Sequence, residues 1–349
     1  MRVPLSLPLQ MMFTAPLWPE GQHDALKRYM VNMRAVCQTP DRPPPARPSL
    51  FYHGPTRLWD YRPPQQEPQG RGVVFVPSLV NRCHILDLLP RCSMVGAFAQ
   101  QAPTFLLDWG SPDQSEGDLA GYINDKMIPA LQIAALQTGG PVHLVGYCMG
   151  GLLAIMAAVL VPHLVQSLTF LAVPWDFSPM ASPQERAMIP ALKAGCLALK
   201  HQKRCLPSGL LQGLFLLKDP FSHIARYTKD TDDRDKFLAL EQWIQHGQPL
   251  TPDVALWAFS VCYEHNAFHH NTLTGGGQSL CFSRVRQRSL IVSPLRDTVV
   301  PPASALALKA VLPHAHTLQP DTGHIGMIIG NRAPGEVWQP ILDWIHQAS

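Results

Sequence analysis

The chain has 349 residues, 46% of them hydrophobic and only 15% charged, with a formal net charge of +3. That composition suits a large buried core and excludes a disordered, strongly charged chain. A charge so small does not make nucleic-acid binding the leading idea, although a pI of about 8.4 leaves room for a local basic patch. The first elements are set by proline, which supplies 35 residues and includes the run Pro43-Pro44-Pro45. Each proline fixes φ and removes a donor, so residues 1–48 read as a proline-rich segment, part linker and part extended chain. Within it, Leu26, Tyr29, Met30, Met33 and Val36 recur at helical spacing and predict a short helix over 22–38. The opening stretch is interrupted by Pro4, Pro8 and Pro16 and shows no clear cleavage site, so it is not read as a signal peptide. Eight cysteines without a C-x-x-C pair indicate reduced thiols in a cytoplasmic protein rather than a zinc or redox motif.

Segments 50–53 and 57–61 flank Gly54-Pro55-Thr56 and predict a hairpin. From residue 72 the pattern becomes one of continuous apolar runs, 72–76, 103–107, 142–145 and 168–173, as expected of strands buried on both faces. Helical periodicity fills the intervals over 85–100 and 119–136 and from Met149 onward. The longest apolar run, Gly150 to Val161, is well short of the ~20 residues that span a bilayer. Strands alternating with helices predict an α/β protein with a doubly wound, mostly parallel sheet. The alternation stops after Pro174 and resumes with the strand 289–292, a helix over 303–311 and a closing helix over 336–346. Residues 49–174 and 288–349 therefore form the core, and 175–287 a helical cap insertion. Its apolar residues Leu210, Leu211, Leu214, Phe215 and Leu217 need a surface to bury them.

The strongest local signal is Val142 to Leu152, an apolar strand, then Gly146-Tyr147-Cys148-Met149-Gly150, then an apolar helix. This is the context of a nucleophile elbow with cysteine in the serine place. Gly146 and Gly150 leave room at the strained turn, and the helix N-terminus favours a thiolate and offers an amide to a developing oxyanion. A buried structural cysteine on a glycine-rich strand end is the plain alternative. An elbow requires an acid and then a histidine further along the chain. Asp297, in the loop after the resumed strand, and His324, in Asp321-Thr322-Gly323-His324, supply them. Asp321 is the competing acid, but three residues before His324 it is poorly placed to reach the far side of the ring.

At these residues the sequence resembles the polyhydroxyalkanoate synthases, polymerases of the α/β-hydrolase fold. The resemblance runs from about Leu50 to the C-terminus through Asn81-Arg82-Cys83-His84-Ile85-Leu86-Asp87-Leu88, Leu107-Asp108-Trp109-Gly110, the box around Cys148, Val173-Pro174-Trp175-Asp176-Phe177, the Asp297 loop and Gly323-His324-Ile325-Gly326. It departs at His84, where the family has Tyr, and at Thr298, where many larger synthases have His. It also departs in length, which matches the short synthases that work with a second subunit. The resemblance implies that Cys148 carries the acyl chain, His324 is the general base and Asp297 orients it. The backbone N–H groups of Val80 and Met149 would form the oxyanion hole. It further implies a hydroxyacyl-CoA substrate, a polyester granule surface in the cytoplasm, a second synthase subunit or a homodimer as partner, and no cofactor. A thioesterase or polyester depolymerase of the same fold is the rival reading, and a non-catalytic granule-associated protein a second one.

Weaker constellations have plainer explanations. His265, His269 and His270 around Glu264 lack the spacing of a metal site. Asp230 to Asp233 reads as a polar turn, and the cluster Lys200, Lys203 and Arg204 as a solvated face, with a CoA phosphate contact as the sharper alternative.

Overall fold

The computed structural model describes residues 23–39, 47–63, 70–112, 117–211, 213, 226–228, 233–275 and 278–347. The run Pro43 to Pro45, the residues before His23, Leu214, Phe215, Leu217 and Asp230 to Asp232 lie outside them. A helix, α1 (His23–Gln38), precedes a hairpin of β1 (Ser49–His53) and β2 (Thr56–Asp60). The apolar runs become mostly buried strands, β3 (Val73–Val76), wholly buried, then β6 (Thr104–Asp108), β7 (Val142–Tyr147), β8 (Val165–Leu171) and β11 (Arg288–Val292), and the short, largely exposed β12 (His316–Leu318) ends the sheet. They form one eight-stranded sheet in the order β1-β2-β6-β3-β7-β8-β11-β12. Every pairing from β6 to β12 is parallel, and the hairpin adds two antiparallel strands at one edge.

The expected helix over 85–100 is a correction. A 3-10 turn, Cys83–Leu86, leads into a small hairpin of β4 (Asp87–Leu89) and β5 (Cys92–Ser93), and only α2 (Met94–Ala99) is helical. Pro90 is the reason: it lacks an N–H and forces Leu89 toward extended backbone, so the chain turns there. Helix α3 (Ile128–Thr138) is entered through a π-helical stretch, Tyr122–Met127, and ends on Gly139 with φ of 70°. Helix α4 (Met149–Leu160) follows β7 and is buried along nearly its whole length.

Between β8 and β11 the described elements are α5 (Pro183–His201), α6 (Arg234–Gln245), α7 (Pro252–Trp257) running into a π-helical stretch Ala258–Glu264, and the two-residue strands β9 (Thr274–Gly275) and β10 (Gln278–Ser279). Of the leucines expected to seek cover here, Leu210 is 46% exposed and Leu211 only partly buried. Helices α8 (Pro302–Leu306), α9 (Gly326–Ile329) and α10 (Gln339–Gln347) complete the core. No described helix is long and apolar enough to cross a membrane.

The sheet order positions a site. The chain leaves β3 for β6 on one side and returns to β7 on the other. The connections beyond the carboxyl ends of β3 and β7 therefore diverge and leave a crevice where ligands bind in such sheets. Cys148 follows β7 there.

Candidate active site

Cys148 occupies a turn that few residues adopt. Its φ is 52° and its ψ −128°, and α4 begins at the next residue. A non-glycine residue with positive φ is strained, and such strain persists only where the surroundings impose it. Here they do so through backbone packing. A Cβ on Gly146 would meet Gly151 Cα at 2.4 Å, and one on Gly150 would meet Val76 O at 2.0 Å. Gly151, which the pentapeptide pattern does not include, is equally constrained, since a Cβ would lie 2.0 Å from Val173. The Cys148 amide donates to Leu171 O at 2.9 Å, tying the turn to the end of β8.

His324 and Asp297 are brought to this turn by two loops bonded to each other. Ser293 N donates to Leu318 O, Leu295 N to Pro320 O and Arg296 N to Thr322 O, at 2.9 to 3.0 Å. His324 Nδ1 lies 2.7 Å from Asp297 Oδ2. The other carboxylate oxygen, Oδ1, accepts the amides of Val299 and Val300 at 2.9 and 2.8 Å. The Asp297 side chain is fully buried and that of His324 10% exposed, so water barely screens this pair. Asp321 points elsewhere, paired with Arg296 at 2.8 Å on the surface.

The electrostatics follow from these contacts. Burial alone would hold the His324 imidazole below its ordinary value. The Asp297 carboxylate and the Cys148 thiol, each by charge and by hydrogen bond, override that and push the ring up to about 10. With Nδ1 engaged by Asp297, Nε2 is the nitrogen left for the thiol.

The oxyanion donors differ. Met149 is the first residue of α4, and an amide at that position has no partner within its own helix. The Val80 amide is not idle in this geometry: it donates to Ser78 Oγ at 3.2 Å. A hydroxyl two residues away is a weak and movable partner, and nothing in the local sequence pattern announces it.

Several side chains around this region carry contacts that sequence reasoning does not reach. Tyr147 precedes Cys148, is buried, and stacks obliquely on the His324 ring with centroids 5.1 Å apart. Its hydroxyl donates to His324 O at 3.4 Å. Tyr263 comes from the π-helical stretch between β8 and β11. Burial pushes its phenol up, with Cys262 and then Cys148 adding to the effect. The Phe177 ring meets it edge-on at 5.1 Å. Asn266 and Arg186 then fasten the two ends of this region together. Asn266 accepts Phe177 N at 2.9 Å and donates to Asp176 Oδ1 at 2.7 Å, while Arg186 donates to Phe177 O at 2.8 Å and Tyr263 O at 3.0 Å.

The weaker constellations are engaged in other contacts. Glu264 takes Lys193 at 2.6 Å, His269 faces His270, and Lys200 pairs with Asp253. Among the described residues no three His, Cys, Asp or Glu side chains converge as metal ligands.

Comparison with known proteins agrees with this architecture. A family described as alpha/beta hydrolase fold matches residues 73–330. The poly(3-hydroxyalkanoate) polymerase subunit PhaC of Allochromatium vinosum is 27% identical over 307 residues, covering 83% of this chain and 85% of that protein. The subunit of the same name from Haloferax mediterranei is 26% identical over 316 residues, which are 86% of this chain but 63% of its own length. Among solved structures, the monoacylglycerol lipase of Paleococcus ferrophilus superposes with a TM-score of 0.54 at 15% identity, covering 84% of this chain and 99% of that one. That likeness concerns the fold.

Proposed function

This chain belongs to the alpha/beta hydrolase fold family, and on that premise we propose that it is a polyhydroxyalkanoate synthase-like acyltransferase, moving hydroxyacyl groups from CoA thioesters to a growing polyester. In this reading Cys148 is the nucleophile, His324 the general base and Asp297 the acid that orients it. The observation that carries the reading is a thiol, rather than a hydroxyl, on a strained strand-to-helix turn, together with a barely exposed imidazole bonded at Nδ1 to the buried Asp297 carboxylate. The likeness to polymerase subunits over most of the chain supports the substrate class.

The steps of this reading are these. The Cys148 proton passes to His324 Nε2, and Sγ attacks the thioester carbonyl. The oxyanion that forms faces the amides of Met149 and Val80, the latter released from Ser78. The carbon–sulfur bond to CoA breaks, and the leaving thiolate takes the proton from His324. One thioester replaces another, so this exchange is nearly level in energy. A hydroxyl at the end of a growing chain then gives its proton to His324 and attacks the acyl carbon. An ester forms and Cys148 is freed.

Residues 175–287 act here as a helical cap that keeps water from the acyl-enzyme, so that an alcohol wins the second step. The fastening of Phe177 to Asn266 and Arg186, and of Arg186 to Tyr263 O, supports that assignment. The surroundings that go with this activity are a polyester granule surface in the cytoplasm and a second synthase subunit or another copy of this chain as partner.

The test is incubation of the purified protein with 3-hydroxybutyryl-CoA, following CoA release and polymer together. CoA released in step with polymer is the expected result. CoA released with free 3-hydroxybutyrate and no polymer would make the protein a thioesterase. No CoA release at all would remove acyl transfer from consideration.

A further inference from the structure

Two tryptophan side chains hold the two ends of the loop that carries Val80. At its start, Pro77 O accepts Trp109 Nε1 at 2.9 Å, and at its end Arg82 O accepts Trp243 Nε1 at 2.8 Å. Only Ser78, Leu79, Val80 and Asn81 lie between. The start of the loop is also clamped by packing, because Gly150 lies so close beneath it that a Cβ there would meet Pro77 O at 2.6 Å. Trp109 belongs to the core, following β6, and is almost wholly buried. Trp243 is different: it sits on α6, outside the core sheet, and reaches across to the loop. Helix α6 is in turn braced from its far side by α1. Gln242 donates to Thr39 O at 3.0 Å, Asn32 to Tyr227 O at 2.9 Å, and the Tyr29, Tyr227 and Phe237 rings pack together.

We infer that Trp243 is a positioning residue: through its bond to Arg82 O it sets where the Val80 amide stands when an oxyanion develops on an acyl group at Cys148. This rests on the acyl-transfer reading above. The physical need is specific. Donors to an oxyanion must be in place before charge develops, and misplacement by about 1 Å can cost on the order of 10²-fold in rate. The Val80 amide donates at 3.2 Å to the movable hydroxyl of Ser78, so the carbonyls held at the loop ends define its direction. Because one of those ends is held from α6, the oxyanion hole is completed by a helix outside the sheet that carries the nucleophile.

The experiment uses Trp243→Phe in the full chain, which keeps an aromatic ring and removes the N–H. Two reactions of Cys148 are compared. Acylation by 3-hydroxybutyryl-CoA, read as single-turnover CoA release, builds an oxyanion. Alkylation by iodoacetamide joins sulfur to carbon and expels iodide without building one. Acylation is expected to slow by about tenfold or more with KM unchanged, while alkylation stays within about twofold of the wild type. Equal losses in both reactions would show that Trp243 serves the thiol or the packing, and no loss in either would show that it sets nothing. Both results overturn the inference. If the wild-type protein is alkylated at Cys148 but never acylated, the acyl-transfer reading fails before any substitution is made, and this inference fails with it. Should Trp243→Phe not fold, 3-benzothienylalanine at position 243 keeps the indole shape without the N–H and gives the same comparison.

Discussion

Cys148 and Tyr263 belong to two parts of the chain that are held by different kinds of bond. On the sheet side, position comes from the backbone. The Cys148 turn is fixed by glycines packed against strand and helix backbone, and the Asp297 and His324 loops are tied by amide–carbonyl bonds. On the side of α5 to α7, position comes from single side chains reaching to backbone: Arg186 donates to the carbonyls of Phe177 and Tyr263, Asn266 Oδ1 accepts the Phe177 amide, and Trp243 donates to Arg82 O. A backbone lattice has many members and yields as a whole. A clasp of two or three side chains can be undone by one substitution. The sheet side therefore suits the reacting groups, and the other side suits a part that must open for substrate and close again.

The sharpest break between the two sides is expected at the nucleophile. Cys148→Ala leaves the turn and its bonds intact and should lower the CoA release from 3-hydroxybutyryl-CoA by about 10³-fold or more. A thiol-directed acyl analogue should label Cys148 in the wild type and no other cysteine. Retained activity in the variant, or labelling confined to another cysteine, would move the chemistry elsewhere.

Asp297→Asn probes the sheet side in a second way. It should cost on the order of 10²- to 10³-fold in acylation, since the ring loses its orienting charge. It should also change the response to pH. A ring pushed up to about 10 in the folded protein, against an ordinary value near 6.5, favours folding most below pH 6.5. That favour is lost as pH rises through about 10. The wild-type Tm should therefore fall between pH 7 and 10, and Asp297→Asn should flatten the fall because burial then lowers the imidazole. Parallel Tm profiles for the two proteins would show that Asp297 does not hold the His324 proton.

The difference between the sides also decides what could be read from the sequence. The Cys148 elbow was legible because its cause is local: glycines two residues either side of the nucleophile, between an apolar strand and an apolar helix. Asp297 and His324 were legible from chain order after the resumed strand. Tyr263 was not, because it lies 115 residues beyond Cys148 in an apolar stretch with no signature of its own. The Trp243 bond was hidden for the same reason, since a tryptophan at helical spacing reads as core. Leu89 to Arg91 misled because apolar periodicity continued through Pro90, and backbone chemistry prevailed over pattern. The bond from the Val80 amide to Ser78 is a local turn that only coordinates reveal.

The clasp can be tested directly at Asn266, whose φ is 46° and which is nearly buried. Asn266→Ala removes its bonds to Phe177, Asp176 and Ser178 and places a residue ill suited to positive φ there. Urea unfolding should show a loss of about 2–3 kcal/mol. Asn266→Gly, which tolerates the backbone angle, should lose less. If both variants match the wild type, these side-chain bonds are not what fastens the region. If they also shift product from polymer toward free 3-hydroxybutyrate, the clasp and the exclusion of water are linked.

The smallest expected effect has the opposite sign. Gly195 lies within α5 on an exposed face, at an ordinary helical angle, and a Cβ there would meet nothing within 4 Å. Gly150, by contrast, is the second residue of α4 and has backbone oxygens on the near side of any Cβ. The two glycines thus have different physical meanings, one a steric necessity and the other a cost in chain entropy. Replacing Gly195 by Ala narrows the unfolded ensemble and suits a helix interior, so stability should rise by roughly 0.5–1 kcal/mol. CoA release should be unchanged if α5 need not bend at that point. A gain in stability accompanied by slower turnover would mean instead that α5 flexes around Gly195 during substrate entry. The sheet side would then be the rigid partner of a helix whose give is part of the cycle.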